Sequence, residues 1–158
     1  MVLIIKLMES LGGIDINKPY EYISQRAVSG GLYIYLFMDF DGSYQLKAFV
    51  ASSSNSNCSF TLKTTSNLQS NTFGYVTVSG CSSGSNCGIW SITAQTQFTF
   101  TPVPNSNAYW ISTPDCGANQ VLGFASDPAA SEGSMVDVCL VAKATSGAAF
   151  ERQTWVPH

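Results

Sequence analysis

From Leu32 to Phe40 the chain alternates, and both sets of positions are largely apolar: Leu32, Ile34, Leu36, Met38 and Phe40 on one side, Tyr33, Tyr35 and Phe37 on the other. A period of two sends successive side chains to opposite faces of a strand. Apolar residues on both faces predict a strand covered from both sides. Asp41-Gly42 follows, a dipeptide suited to a two-residue hairpin turn, and the chain returns through Ser43 to Val50. A second hairpin is expected between SFTLKTT and TFGYVTV, across Ser66 to Asn71. A long strand is expected from Gly88 to Thr101, with Trp90, Ile92 and Ala94 on one face, ended by Pro102 and Pro104. Shorter strands are read in YWIS, QVLGFAS, SMVDVCLVA and AAFERQTWV, separated by Pro and Gly turns. Short strands in close succession, with no helix among them, predict an all-β fold: a single β-sandwich of jelly-roll type over residues 31–158.

Residues 1–30 follow another pattern. Ile4, Leu7, Met8 and Leu11 fall at helical spacing and Gly12-Gly13 would end such a helix, although the same letters also read as a strand. The stretch from Gly12 to Gly31, with Pro19 and a glycine pair at each end, predicts an extended connection. Together they form an N-terminal arm whose apolar side chains are Val2, Leu3, Ile4, Ile5, Leu7, Met8 and Leu11. Left exposed, they would make a patch that a soluble monomer seldom tolerates. Burying each is worth ~1.5–3 kcal/mol against ~1–2 kcal/mol per residue of backbone ordering. The arm is therefore expected to pack on an adjacent subunit or an underlying shell. The apolar run from Met1 to Leu11 is shorter than the ~20 residues of a spanning helix. It also lacks the basic start and small-residue cleavage site of a signal peptide. Either a leader has already been lost from this numbering, or the chain assembles without Sec export.

Composition narrows the classes. The chain has 158 residues, 45% of them hydrophobic, enough for one domain with its own core. A net charge of −3, a single histidine and no basic block leave no electrostatic footprint for nucleic acid. Between Lys63 and Asp115 there is no Asp, Glu, Lys or Arg; Ser, Thr, Asn, Gln and Gly are interleaved with aromatics from Phe73 to Trp110. Uncharged polar faces alternating with aromatics suit β proteins of extracellular surfaces and particle shells.

Candidate chemistry is sparse. Gly80-Cys81-Ser82-Ser83-Gly84 matches the nucleophile-elbow pattern G-x-S-x-G, and Ser82, then Asp115, Asp127 or Asp137, then His158 is an allowed triad order. An elbow, however, leads from a strand into a helix, and GIWSITAQTQFTF after Gly84 reads as strand. The motif is therefore read as a loop, without a catalytic residue. Cys81 and Cys87 are too loosely spaced for a zinc pair and have no histidine beside them. Of the five cysteines, Cys58 and Cys81 are equidistant from the turn between Gln69 and Ser70, and Cys116 and Cys139 bracket a later hairpin. Two disulfides with one free thiol, or five reduced cysteines, both fit this arrangement.

Asp39 and Asp41 belong to the hairpin turn rather than to a calcium site, and Asp127 and Glu132 share a turn where acids are ordinary. No metal or cofactor is expected. Asn57-Cys58-Ser59 is an N-glycosylation sequon. Tyr33, Tyr35, Trp90, Tyr109 and Trp110 are read as core before they are read as a sugar-binding face.

Gln120-Val121-Leu122-Gly123-Phe124-Ala125, then SDPAASEGS, then Met135 to Val141 resembles a hairpin of small phage head-decoration and fibre proteins, over about 22 residues. In those proteins a strand with a small-residue pattern runs through an Ala/Gly turn into a second strand. The resemblance implies a virion-surface protein without an enzymatic site. Three functional classes follow. The first is a structural protein of a virus particle (capsid jelly roll, decoration protein or spike head), located in the virion and bound to itself or to other shell subunits through the arm. The second is an extracellular or cell-surface filament or adhesin subunit assembled by strand donation. The third is a secreted carbohydrate-binding module, with a surface glycan as partner, or a secreted hydrolase.

Overall fold

The alternating stretches fold as strands. The structure, a computed structural model, describes residues 20–39, 45–52, 75–85, 87–91 and 98–158, and for 75–77 and 87–91 the backbone alone. The strands in chain order are β1 (Tyr22–Ser24), β2 (Leu32–Asp39), β3 (Gln45–Ser52), β4 (Tyr75–Val78), β5 (Cys87–Ser91), β6 (Thr99–Pro102), β7 (Tyr109–Ser112), β8 (Gln120–Gly123), β9 (Met135–Asp137), β10 (Cys139–Ala142) and β11 (Trp155–Pro157). Among the described residues one short α-helix, α1 (Gly147–Glu151), precedes β11.

The fold is all-β. The main antiparallel sheet runs β10-β8-β7-β11-β1-β2-β3-β9, with β6 on the far edge of β7, and β4-β5 form a separate ladder. Strand β7 shares its other edge: Trp155 of β11 lies opposite Tyr109, and Val121 of β8 lies opposite Ser112. The two ends of the sheet, β9 and β10, are parted only by Val138. One segment thus leaves β3 and joins β8 within a single residue, and Val138 N–H donates to Leu46 O at 3.0 Å across the switch. The sheet closes nearly on itself, and among the described residues the jelly-roll order expected from the sequence is not seen.

Period-two alternation fills the interior. Ile34, Leu36 and Met38 of β2 meet Leu46, Ala48 and Val50 of β3, joined by Tyr22, Ile111, Leu122, Leu140 and Trp155 in one core. Val136, Val138 and Leu140 keep facing inward through the change of partner, so the apolar rhythm holds the segment in register while its hydrogen bonds move. Trp155 is fully buried, and its Nε1–H donates to Leu122 O at 3.0 Å. That bond satisfies the indole's one polar group.

On the outer face, α1 lays Phe150 over Trp110, ring centroids 5.8 Å apart, above Val103, Ala108 and Val121. The buried Gln153 amide anchors the helix exit, donating through Nε2 to Ala142 O and accepting at Oε1 from Ala144 N–H. Gly123 lets this segment approach β8: a Cβ there would lie 2.8 Å from Val141 Cγ2 and 2.9 Å from Gln153 Cβ.

Several expectations are corrected. AAFERQTWV was read as one strand, but Gly147–Glu151 is helical and only Trp155–Pro157 is strand. Five residues make less than two turns, too little to print a 3.6-residue period. SMVDVCLVA is two strands, and the described parts of the long strand from Gly88 are β5 and β6. Strand β1 lies within the expected linker, so the sheet begins before Gly31, with Tyr22 fully buried. SFTLKTT, the Asp41-Gly42 turn, the Asn57 sequon and the apolar arm lie outside the described residues.

Candidate assembly surface

The GCSSG motif sits in the loop joining β4 to β5, a hairpin connection without the helix that an elbow requires. Gly84, with φ of +89°, turns the loop so that it lies along β10. Gly84 N–H donates to Leu140 O at 2.7 Å, and Leu140 N–H donates to Ser85 O at 3.0 Å. The loop thereby occupies backbone groups at an end strand of the sheet, where they would otherwise offer a template for another chain. Ser82 is exposed, and Ser83 Oγ donates to Gln120 Oε1 at 3.2 Å.

The residues of the formal triad are dispersed. Asp115 comes beside the loop, but Asp137 pairs with Lys47 and Asp127 is held by two arginines. His158 extends the β1–β11 ladder, its N–H donating to Glu21 O at 2.8 Å.

A disulfide fixes the loop. Cys81 bonds Cys116, with Cα atoms 5.0 Å apart, tying it to the 3-10 turn Pro114–Cys116 that follows β7. The expected pairings, Cys58 with Cys81 and Cys116 with Cys139, are replaced. Turn symmetry placed Cys81 against its own hairpin, whereas the loop leans across to the β7–β8 connection. Cys139 is a free thiol whose pKa is pushed up, first by burial and then by the Asp137 charge, so little reactive thiolate forms at neutral pH. Cys58 and the Cys87 side chain lie outside the described residues.

Four charges form a cluster at the end of β1. Arg26 bonds Asp127 at 3.0 Å and Glu151 at 3.1 Å, and Arg152 reaches Asp127 at 2.7 Å. The hydrogen bond from Arg152, then that from Arg26, lowers the Asp127 pKa to about 2. The cluster joins β1, the loop before β9, and α1. Among the described residues no group of three or more His, Cys, Asp or Glu is placed to hold a metal ion.

The second half of the outer face is apolar. Register places Val156, Ile23, Tyr35, Phe49 and Met135 side by side across β11, β1, β2, β3 and β9. Directly paired residues share a face, so these five form one row. Beside it stand Tyr33 opposite Ala51, and Phe37 opposite Lys47. Phe37 and Phe49 stack with centroids 4.7 Å apart, and Tyr33 meets Tyr35 edge-on at 6.3 Å. Tyr33 is 42% and Met135 44% exposed, the large hydrophobic side chains most open to solvent among the described residues. Lys47 and Asp137 make a cross-strand ion pair at one margin.

Of the aromatics read from the sequence, Tyr35, Tyr109 and Trp110 are buried, Tyr35 at the centre of this row being fully covered, like Ala51 beside it; Tyr33 next to them is exposed, and the Trp90 side chain is outside the described residues. Ile23, Phe49, Met135 and Val156 carry no signal of this neighbourhood in the sequence. Alternation puts each on a strand face, but only pairing shows that they are neighbours. No helix among the described residues is long and apolar enough to cross a membrane. No family model, curated protein or solved structure matches the chain.

Proposed function

We propose that this protein is a non-enzymatic structural subunit of a virus particle, acting by assembly through its N-terminal arm. The observation that carries the reading is the exposure of Tyr33 and Met135 on the outer face of the sheet, in a chain whose first eleven residues include seven apolar side chains. An all-β domain with an uncharged middle third supports it, as does the hairpin resemblance over Gln120 to Val141. The alternative is an extracellular filament or adhesin subunit. The Cys81–Cys116 disulfide favours it, because such bonds persist in oxidising surroundings; virion surfaces meet the same condition. A secreted carbohydrate-binding module is the third reading, resting on Tyr33 as an exposed aromatic. Negative-stain microscopy and size-exclusion chromatography of the purified chain test the proposal. Closed particles or defined oligomers support a shell subunit and fibres support the filament reading, whereas a monomer at all concentrations overturns both.

A further inference from the structure

We propose that the Cys81–Cys116 bond is a redox latch: a dithiol reductant opens it in the folded protein, and residues 79–85 then lift from β10 while the sheet stays intact. The inference is independent of the assembly reading above, because it concerns one end of a single chain.

The bond joins two segments that share no ladder. Cys81 belongs to the β4–β5 loop, whose strands pair with each other and not with the main sheet, and Cys116 belongs to the turn after β7. Beyond the bond, the loop meets the sheet through Gly84 N–H on Leu140 O, Leu140 N–H on Ser85 O, and Ser83 Oγ on Gln120 Oε1. Within the loop, Ser85 N–H donates to Ser82 O at 3.0 Å, which makes residues 82–85 a turn able to move as a unit. Residues 81–84 are all exposed, so little apolar surface holds the loop down. Val78 and Cys116, by contrast, pack against the principal core. The segment that can leave therefore begins after Val78. An element with few buried contacts opens at a free energy well below that of the whole domain.

Access to the sulfurs is one-sided, with Cys81 exposed and Cys116 half-buried. A thiolate of the dithiol attacks Cys81 Sγ: a new S–S bond forms there, the bond to Cys116 breaks, and Cys116 leaves as a thiolate that takes a proton from water. The second thiolate of the reductant closes on the first, releases Cys81 as a thiolate to be protonated, and departs as a cyclic disulfide. Two electrons pass to the protein, which gains two thiols. Exposed disulfides are the labile, regulatory ones. Cys81 stays tethered three residues beyond Val78, within ~10 Å, so a low-molecular-weight disulfide can remake the bond. Opening strips Leu140 N–H and C=O of their partners on β10. The latch thus covers a strand edge in oxidising surroundings and uncovers it in reducing ones.

The test uses the full-length oxidised protein, so no variant has to fold. It is treated with dithiothreitol at neutral pH, in buffer and at urea concentrations below the unfolding transition. Alkylation at intervals, read by fragmentation mass spectrometry, places the label on individual cysteines. Cys81 and Cys116 should become labelled together, at a rate that changes less than about twofold across this urea range, because a local opening exposes little surface. Far-ultraviolet circular dichroism should remain that of the oxidised protein. Amide exchange at Gly84 and Leu140 should quicken at least about 10-fold on reduction, ahead of Leu122 and Leu36, and slow again once oxidised glutathione has remade the bond. Labelling that appears only where the whole domain unfolds would make the bond a structural staple and overturn the proposal. So would a reduced protein that loses its β signal, or one whose Leu140 amide is as protected as before.

Discussion

Replacing Cys81 and Cys116 together by serine should loosen one end of the sheet in a measurable way. The disulfide closes a loop with a sequence separation of 35. The chain-entropy relation for a loop of that size gives about 13 cal/mol/K, or about 4 kcal/mol at room temperature. For a domain of this length that corresponds to a fall in Tm of roughly 10 °C. A local effect should accompany the global one. Leu140 N–H is directed at Ser85 O and Gly84 N–H at Leu140 O, so both amides depend on the loop lying against β10. Without the bridge the loop can lift away while the core on the other side of β10 stays folded. Hydrogen exchange should therefore quicken at Gly84 and Leu140 by local opening, ahead of Leu122 and Leu36 in the core. Calorimetry and amide exchange on the oxidised protein and on the double variant read both quantities. A Tm shift below roughly 2 °C, with unchanged protection at Leu140, would refute the view that the bridge holds an edge-covering loop.

Other expectations are narrower. Gly123→Ala forces a methyl group to within 2.8 Å of Val141 Cγ2 and 3.1 Å of Arg152 O. It should cost about 1–3 kcal/mol in urea unfolding, and a neutral result would mean that the α1 exit is not tightly seated on β8. The Asp127 pKa, lowered to about 2 from 3.8 by Arg152 and Arg26, gives a contribution present above about pH 4 and lost as the pH falls through about 2. With the Asp127 side chain 38% exposed, solvent screening leaves about 1 kcal/mol of the nominal shift. Asp127→Asn should remove that part of the acid dependence of stability, and identical acid profiles for the two proteins would contradict it. Ser82→Ala, in an exposed turn, should leave stability within about 0.5 kcal/mol. Stoichiometric labelling of Ser82 by a serine-directed phosphonate would contradict its assignment as an ordinary loop residue.

What the sequence makes legible depends on how local the cause is. The β2–β3 hairpin could be read directly, because Leu32 to Asp39 alternates through eight residues and pairs with Gln45 to Ser52 one for one. The turn of α1 could not, since five residues carry too little periodicity. The partner change at Val138 leaves no mark either, because the inward rhythm of Val136, Val138 and Leu140 is unbroken across it. Cysteine pairing escapes the sequence for a related reason. Spacing about a turn constrains partners within one hairpin, but Cys81 and Cys116 meet because two separate loops come together at one end of the sheet. The outward row is likewise a product of register: Met135 and Ile23 are far apart in sequence and become members of one surface through β2 and β3. The charge cluster has the same origin, with Arg26 meeting Asp127 and Glu151 across more than a hundred residues.

Assembly through the N-terminal arm is most directly tested by removing residues 1–13 and measuring the size of what remains. The truncated chain keeps β1 to β11 and the core around Tyr22, Leu36, Leu122 and Trp155, so it should show the far-ultraviolet spectrum of the intact β domain. It should also sediment as a monomer at concentrations where the intact protein forms oligomers or particles. Truncated protein that assembles as the intact chain does, or that cannot fold at all, would place the arm in the domain's own core and contradict the account.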